Sequence, residues 1–393
     1  MKNKNMAILY ISLVVVMMGY GIAMPILPFY IDSLGGRGVH FGLLIASYGI
    51  MQLIFAPLWG SLSDKYGRKP LLLTGMIGLG SAMILFALST QLWMLYAAQI
   101  LSGSLSSATL PAAQAYAADS TTREERGGAM GRIGGAIGFG VVMGPGLGGL
   151  LGSMSLETPF FTAAAFCLFT FLLILIGLPE SLAPSRRIAE AEVKFMQFKG
   201  LWRALLGPIG FGFAVAFVAI MGQTIFSSVY GLYALARFNY GPEQVGVILM
   251  AMGFMYALSQ GLLVGSLTKK FGEEKVITYA LIGNAAGFAL ILLSLNFLAI
   301  LAAMSFFMLF NSLLKPSALA FISKNTASSQ GHTMGIAESY MSLGRIIGPL
   351  WGGMIFDINL FYPYLSGIVI FSLFFFITLF RLKPGLGPAF KAE

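Results

Sequence analysis

The sequence predicts an all-α integral membrane protein in which twelve transmembrane helices form two six-helix halves. Composition, the length of the apolar runs and an internal repeat together predict this fold class. Hydrophobic residues make up 57% of the 393 residues and charged residues only 10%, whereas soluble proteins carry about 25% charged residues. The apolar residues come in long runs rather than in an amphipathic period, which is typical of membrane-spanning helices.

Twelve runs are long enough to span a bilayer, which requires about 20 mostly apolar residues. They lie at 7–30, 41–63, 71–89, 93–118, 128–152, 159–178, 204–234, 244–266, 276–294, 298–322, 333–356 and 364–381. The first run begins like a signal peptide but continues to Tyr30 without a small-residue cleavage site, so we interpret it as a helix. The longest polar stretch follows the sixth run. We therefore expect an N-terminal half at 1–178, a cytoplasmic linker at 179–203 and a C-terminal half at 204–393.

The distribution of basic residues predicts the orientation in the membrane. With the N-terminus inside, the cytoplasmic segments hold nineteen Lys and Arg residues, and the outside loops hold two, Arg37 and Arg237. Loops rich in Lys and Arg stay on the cytoplasmic side, so we expect both termini there, in a bacterial-type inner membrane. Contact with anionic membrane lipid then accounts for the net charge of +9, and we expect no nucleic-acid partner.

Two motifs recur at nearly the same offset along the chain. GVVMGPGLGG at 140–149 returns as GRIIGPLWGG at 344–353, and GSLSDKYGRK at 60–69 returns as GSLTKKFGEE at 265–274. Two independent motifs with one offset indicate a duplicated six-helix unit. Such repeats are typical of transporters whose halves move about a central site.

The first repeated motif places small residues on one helix face and a proline beside them. Glycines spaced by four share a face, which lets another membrane helix approach closely, and proline favours a bend. Two interpretations stay open: plain helix packing, or in addition a hinge or seal for the transport path. The motif residues are Gly140, Gly144, Pro145, Gly148, Gly344, Gly348 and Pro349.

These motifs resemble signatures of the major facilitator superfamily, and of its twelve-helix drug:proton antiporters in particular. The 60–72 loop resembles the superfamily signature, 140–149 the antiporter signature, and GYGIAMPILP at 19–28 a third signature of the exporters. The resemblance covers essentially the whole chain and points to bacterial multidrug and tetracycline exporters. It implies alternating access and a conformational latch formed by Asp64, Arg68 and Asp119.

The second loop copy departs from this pattern. Lys269 stands where Asp64 stands in the first copy, and Glu273 stands where Arg68 does. We therefore expect the latch in the N-terminal half only.

Arg345 lies near the middle of the predicted eleventh span, about 18 Å from its end. A charge at that depth is a candidate functional group. Glu338 is seven residues earlier on the same helix face, about 10.5 Å away between Cα atoms. We expect a water or a substrate to bridge the two side chains. Lys315, in the tenth span, is a candidate cavity residue, whereas Arg132 can snorkel to the cytoplasmic surface.

Acidic residues are scarce in the predicted spans. Gln99 stands where the family usually places an arginine of the fourth span, one that the resemblance links to proton coupling. Glu338 is the only acid inside a span and away from its ends. Because proton antiport needs a titratable group, we expect Glu338 to couple protons, and its pairing with a cation leaves atypical or absent coupling as an alternative.

We expect Arg345 and Lys315 to bind substrate, together with polar or aromatic residues within apolar runs. The latter are Gln52, Gln260, Tyr230, Phe310 and Tyr340. Such a mixture suits bulky amphipathic molecules.

The sequence thus predicts a secondary active exporter of amphipathic small molecules, driven by proton antiport and working as a monomer. A lipid or glycolipid translocase or a carrier of anionic solutes is an alternative, favoured by Lys315 and Arg345. A non-transporting membrane receptor is an alternative of another class. The sequence contains no zinc, haem or phosphate-loop spacing, so we expect no metal, no cofactor and no enzymatic activity.

Overall fold

A computed structural model of the chain describes residues 2–122, 125–182, 185, 198–207, 209–326 and 330–382. These residues form helices and short connections, with no β-strand among them. In chain order the helices are α1 (Lys2–Ala23), α2 (Leu27–Ser33), α3 (Gly38–Tyr66), α4 (Arg68–Ala87), α5 (Leu92–Leu105), α6 (Thr109–Ser120), α7 (Arg126–Gly152), α8 (Thr158–Gly177), α9 (Phe198–Leu206), α10 (Gly210–Phe238), α11 (Pro242–Leu258), α12 (Val264–Phe271), α13 (Glu273–Leu293), α14 (Phe297–Asn325), α15 (Gln330–Ile358) and α16 (Tyr362–Leu382).

The twelve predicted spans are confirmed as helical rods. Three of the rods are interrupted helices. The first is α1 with α2, the fourth is α5 and α6 joined by a 3₁₀ turn at 106–108, and the eighth is α11 and α12 joined by a π turn at 259–263. Among the described residues, ten rods are long and apolar enough to cross a membrane, as judged by length and composition alone. The other two are the interrupted fourth rod and α15, which carries Glu338 and Arg345.

The chain forms two compact units. The first comprises Met1–Met196 and Ser228–Gly253, and the second comprises Gln197–Ser227 and Phe254–Glu393. The division passes through α10 and α11. The predicted linker at 179–203 lies largely outside the described residues, and the predicted domain boundaries stay a prediction.

In the first unit, α7 packs on α1 through the glycines of the repeated motif. A Cβ added at Gly140 would lie 2.6 Å from Cβ of Met17, and one added at Gly144 would lie 2.8 Å from Cα of Gly21. Real Cβ atoms do not approach other atoms so closely, so any larger residue would push the two helices apart. This close approach is the physical reason for the glycine spacing on this face.

Another face of α7 packs on the beginning of α11, within the same unit. A Cβ at Gly149 would lie 2.9 Å from Cα of Gly246, and one at Gly246 would lie 2.6 Å from the carbonyl oxygen of Pro145. The motif therefore serves two helix contacts at once. This explains why it needs Gly149 in addition to the glycines spaced by four.

In the second unit, α15 packs on α10 through the second copy of the motif. A Cβ at Gly344 would lie 2.8 Å from the carbonyl oxygen of Phe217, and one at Gly348 would lie 2.7 Å from that of Met221. The Thr224 hydroxyl donates to the Gly344 carbonyl at 3.0 Å. The repeated motif thus forms a similar glycine-mediated contact in each unit, with α1 in the first and with α10 in the second.

A buried pair of asparagines connects three helices of the second unit. Asn311 of α14 donates from Nδ2 to Oδ1 of Asn284 of α13 at 3.1 Å and to the carbonyl oxygen of Ala219 of α10 at 3.2 Å. Asn284 donates to the Ala280 carbonyl at 2.7 Å. Both side chains are almost inaccessible, and buried amides need such partners. The sequence reasoning did not single out either residue.

Candidate functional site

Arg345 and Glu338 form a direct ion pair on α15. The Arg345 guanidinium (Nη2) donates to Oε1 of Glu338. The expectation that a water or a substrate bridges them was wrong. Glu338 and Arg345 are about two helical turns apart. Extended Arg and Glu side chains together cover this distance between their Cα atoms.

The two charged residues lie on a face of α15 that differs from its apolar exposed face. Glu338 and Arg345 are about 20° apart around the helix axis, whereas Ile347 lies about 180° from Glu338. Ile347, Trp351 and Met354 are exposed apolar side chains, as expected of a lipid-facing surface. The charged face therefore points away from the surface that suits lipid, which favours a water-accessible environment for the ion pair.

Lys315 of α14 lies close enough to interact electrostatically with both members of this pair. The Glu338 carboxylate attracts its ammonium group and the Arg345 guanidinium repels it. Lys315 is half-buried, and it forms no direct ion pair within the described part of the chain. We call Lys315, Glu338 and Arg345 the charged triad.

Gln260 lies in the π turn and binds a backbone group that a proline has left without a helical partner. Pro316 has no N–H, so the Ser312 carbonyl cannot make its usual bond along α14. Gln260 Nε2 donates to this carbonyl at 3.1 Å. The structure therefore gives Gln260 a role in joining helices, which competes with the predicted contact to substrate.

Tyr340 and Phe310, two other predicted substrate contacts, are engaged in packing. The Tyr340 hydroxyl donates to the Leu201 carbonyl at 2.7 Å, and its ring stacks on Phe213 with centroids 5.6 Å apart. Phe310 packs against Gly283 of α13. Tyr340 is 7% exposed, which argues against it as a substrate contact.

The other two predicted contacts, Gln52 and Tyr230, belong to the first compact unit. Gln52 is half-buried on α3 and Tyr230 is fully buried on α10. In the same unit, Gln99 is buried and lines a small cavity together with Tyr20 and Ser102. Gln99 thus places a neutral amide in the cavity wall, at the position where the family resemblance implies an arginine.

The residues of the predicted latch come together in the first unit. Arg68 donates from Nε to Oδ2 of Asp119 at 3.0 Å, and from Nη1 to Oδ1 of Asp64 at 2.6 Å and to the Ser63 hydroxyl at 3.0 Å. The Arg68 side chain is 8% exposed. We call these four residues the first ion-pair network. It ties the end of α3, the start of α4 and the end of α6 together.

Glu180 extends this network in a way that sequence reasoning missed. Its carboxylate accepts from the backbone N–H groups of Arg68 at 2.9 Å and of Lys69 at 3.1 Å, which begin α4. A carboxylate at a helix N-terminus satisfies unpaired donors and interacts favourably with the helix dipole. Gly67 precedes them with a φ of 111°, and a Cβ there would collide with the Glu180 carboxylate.

The second unit contains an ion pair at the repeat-equivalent positions, with the charges reversed. Lys324 Nζ donates to Oε1 of Glu273 at 2.5 Å. These residues follow Asp119 and Arg68, respectively, by 205 positions, and Gly272 has the positive φ of Gly67. The expectation that only the N-terminal half carries such a contact was therefore wrong in part. We call Glu273 and Lys324 the second ion-pair network.

Comparison with known proteins identifies the family. The sequence profile of the Major Facilitator Superfamily matches residues 9–215 and again residues 212–393. The chain belongs to the major facilitator superfamily. The two matches together cover nearly all of the chain, and membership makes it a non-enzymatic transporter of small molecules in a membrane.

Relatives within the superfamily include proteins named for drug resistance. Multidrug resistance protein 2 of Bacillus subtilis (strain 168) is 32% identical over 361 residues, which cover 91% of this chain and 90% of the relative. Tetracycline resistance protein, class D, of Salmonella ordonez is 33% identical over 359 residues, which cover 90% of each chain.

The fold is also that of a solved transporter structure. A mutant of the nucleoside transporter NupG superposes with a TM-score of 0.84 at 14% identity, covering 96% of this chain and 100% of that one. At this identity the likeness concerns the fold alone. It agrees with the twelve-helix architecture of two six-helix halves that the repeat predicts.

Proposed function

We propose that this superfamily member exports amphipathic, drug-like small molecules by alternating access, in exchange for protons. The observation that carries the proposal is the similarity to multidrug and tetracycline resistance proteins over about nine-tenths of the chain. The protein works as a monomer in the cytoplasmic membrane of a bacterial-type cell, with both termini inside, as the Lys and Arg distribution supports.

Glu338 is the proton-coupling residue in this proposal. It is the acid that lies within a spanning helix and away from its ends, and its side chain is 57% exposed on the charged face of α15. Protonation would break its ion pair with Arg345 and leave a site with two uncompensated cations. Proton binding and the state of the site are therefore linked through one carboxyl group.

The first ion-pair network serves as the conformational latch. Its supports are the three interactions of the buried Arg68 guanidinium and the Glu180 cap on α4. Charge-assisted hydrogen bonds of this kind hold one arrangement of a bistable carrier.

Transport by purified protein in proteoliposomes tests the proposal. We expect an imposed pH gradient to drive a fluorescent amphipathic dye across the membrane from the cytoplasmic face of the protein to its outer face. Flux that is indifferent to the gradient would refute proton coupling, and binding without flux would favour a receptor.

A Glu338→Gln variant tests the coupling residue. We expect it to bind the dye but to lose gradient-driven flux, because the amide cannot exchange a proton. Glu243→Gln, which alters an exposed acid in the first turn of α11, is the matched control and should transport normally. Normal coupled transport by Glu338→Gln would remove Glu338 from the mechanism.

A carrier of anionic solutes or a lipid translocase is the second candidate, because the charged triad contains two cations and one acid. It would require neither a cationic substrate nor a proton. Competition by cationic dyes at the site would argue against it.

A further inference from the structure

The charged triad contains two cationic side chains and one carboxylate, so its net charge is positive. Arg345 is paired with Glu338, but Lys315 has no ion-pair partner in the described residues and is half-buried. An uncompensated cation within a membrane helix costs free energy unless it meets water or an anion. The triad therefore favours an additional negative group.

The two partners of the ion pair differ in how firmly they are held. The Glu338 side chain is 57% exposed and that of Arg345 is 31% exposed. Glu338 can therefore turn away into solvent at a lower cost in lost contacts than Arg345 can. When it does, the planar guanidinium presents its fork of donors, which matches a carboxylate or phosphate in a bidentate manner.

We propose that Arg345 and Lys315 form a subsite for the acid group of an amphipathic anion or zwitterion, and that Glu338 occupies this subsite as an internal counter-ion until the substrate's acid group displaces it. The proposal deepens the proposed function and rests on it for the amphipathic character of the substrate. The subsite selects a carboxylate or phosphate by charge and by the guanidinium fork.

Binding of a matched pair of probes tests this subsite. The probes are a fluoroquinolone and its carboxyl methyl ester, which differ only in the acid group. Affinities are measured for the full-length protein in phosphatidylcholine nanodiscs. We expect the acid to bind about tenfold more tightly than the ester, which corresponds to about 1.4 kcal/mol.

Variants of the triad should change the preference in opposite directions. Arg345→Gln and Lys315→Gln should each reduce the ratio of acid to ester affinity towards one. Glu338→Gln should raise acid affinity several-fold and leave ester affinity unchanged, because the competing counter-ion is gone. Arg345→Lys retains the charge without the fork and should keep part of the preference, so the test survives if Arg345→Gln does not fold. The control Lys270→Gln, at an exposed lysine outside the triad, should leave the ratio unchanged.

Each outcome decides the proposal. Equal binding of acid and ester, or a preference that persists in both Arg345→Gln and Lys315→Gln, would overturn it. If added phosphatidylglycerol in the nanodiscs competes with the acid probe, the subsite stands and a lipid headgroup is its source of anion. Selective binding of the acid without flux would refute the proposed export and retain the subsite. Export of both probes, with equal affinity for acid and ester, would refute the subsite and retain the proposed export.

Discussion

Reversing the charges of the two ion-pair networks should have very different consequences. The variants are Arg68→Glu with Asp119→Arg in the first unit, and Glu273→Lys with Lys324→Glu in the second. Each keeps the two charges of a pair and exchanges their places. If the pair alone mattered, both exchanges would be tolerated.

The single substitutions set the scale of the effect. Arg68 is 8% exposed and contacts two carboxylates that are 45% and 25% exposed. Arg68→Gln removes its charge-assisted hydrogen bonds and should cost about 2 kcal/mol, within the range for hydrogen bonds to charged groups. Lys324 is 66% exposed, and exposed pairs contribute about 0.2–1 kcal/mol. Glu273→Gln should therefore have a small effect.

The environment then decides whether an exchange restores stability. In the first unit, a glutamate at position 68 would face Asp64 and lie beside Glu180, which caps the same helix, so the exchanged pair meets repulsion. In the second unit, position 324 lies at the surface and position 273 is half-buried. A lysine at position 273 would cost only about 0.3–1 kcal/mol against the dipole of α13.

Thermal unfolding of the purified variants in detergent measures the prediction. We expect the second-unit exchange to unfold close to the wild-type Tm and the first-unit exchange to unfold well below it, no better than Arg68→Gln. Equal losses in the two units, or full recovery by the first-unit exchange, would refute the reasoning. Monodispersity on size-exclusion chromatography separates lower stability from misassembly.

Two further substitutions test buried hydrogen bonds of the second unit. Asn311→Leu should lower stability by about 1–3 kcal/mol, because it leaves Oδ1 of Asn284 without its donor. The double variant with Asn284→Leu should recover part of the loss in thermal unfolding, and a double variant that loses the sum of both would contradict this. Tyr340→Phe should lower Tm, since the Leu201 carbonyl loses its donor, while dye affinity stays the same; a loss of affinity at unchanged Tm would return Tyr340 to the substrate site.

The sequence was sufficient for the helices because of the solvent in which they fold. In a bilayer every backbone N–H and C=O must be satisfied within the segment, so an apolar run of sufficient length becomes a helix. The partnership of Arg68 with Asp64 and Asp119 was also predictable. Asp64 lies one turn from Arg68, and the family resemblance implied Asp119.

Partners from distant segments were harder to predict. Glu180 lies more than a hundred residues from Arg68, and nothing around it signals a helix cap except its position after the sixth span. Gln260 looked like a cavity residue because an amide in an apolar run has no visible partner. Its partner is a backbone carbonyl freed by Pro316, which no side-chain pattern reveals.

The sequence by itself determined the twelve helices, the duplication and the residues that carry charge into the membrane. These depend on hydropathy, periodicity and depth, which are properties of a single segment. Only the tertiary structure decided that Glu338 pairs with Arg345 directly, that Lys315 joins them electrostatically and that the second half carries a reversed ion pair. The physical reason is that pairing depends on the rotamers of long side chains and on which helices are neighbours, and neither is encoded in the pattern of one helix.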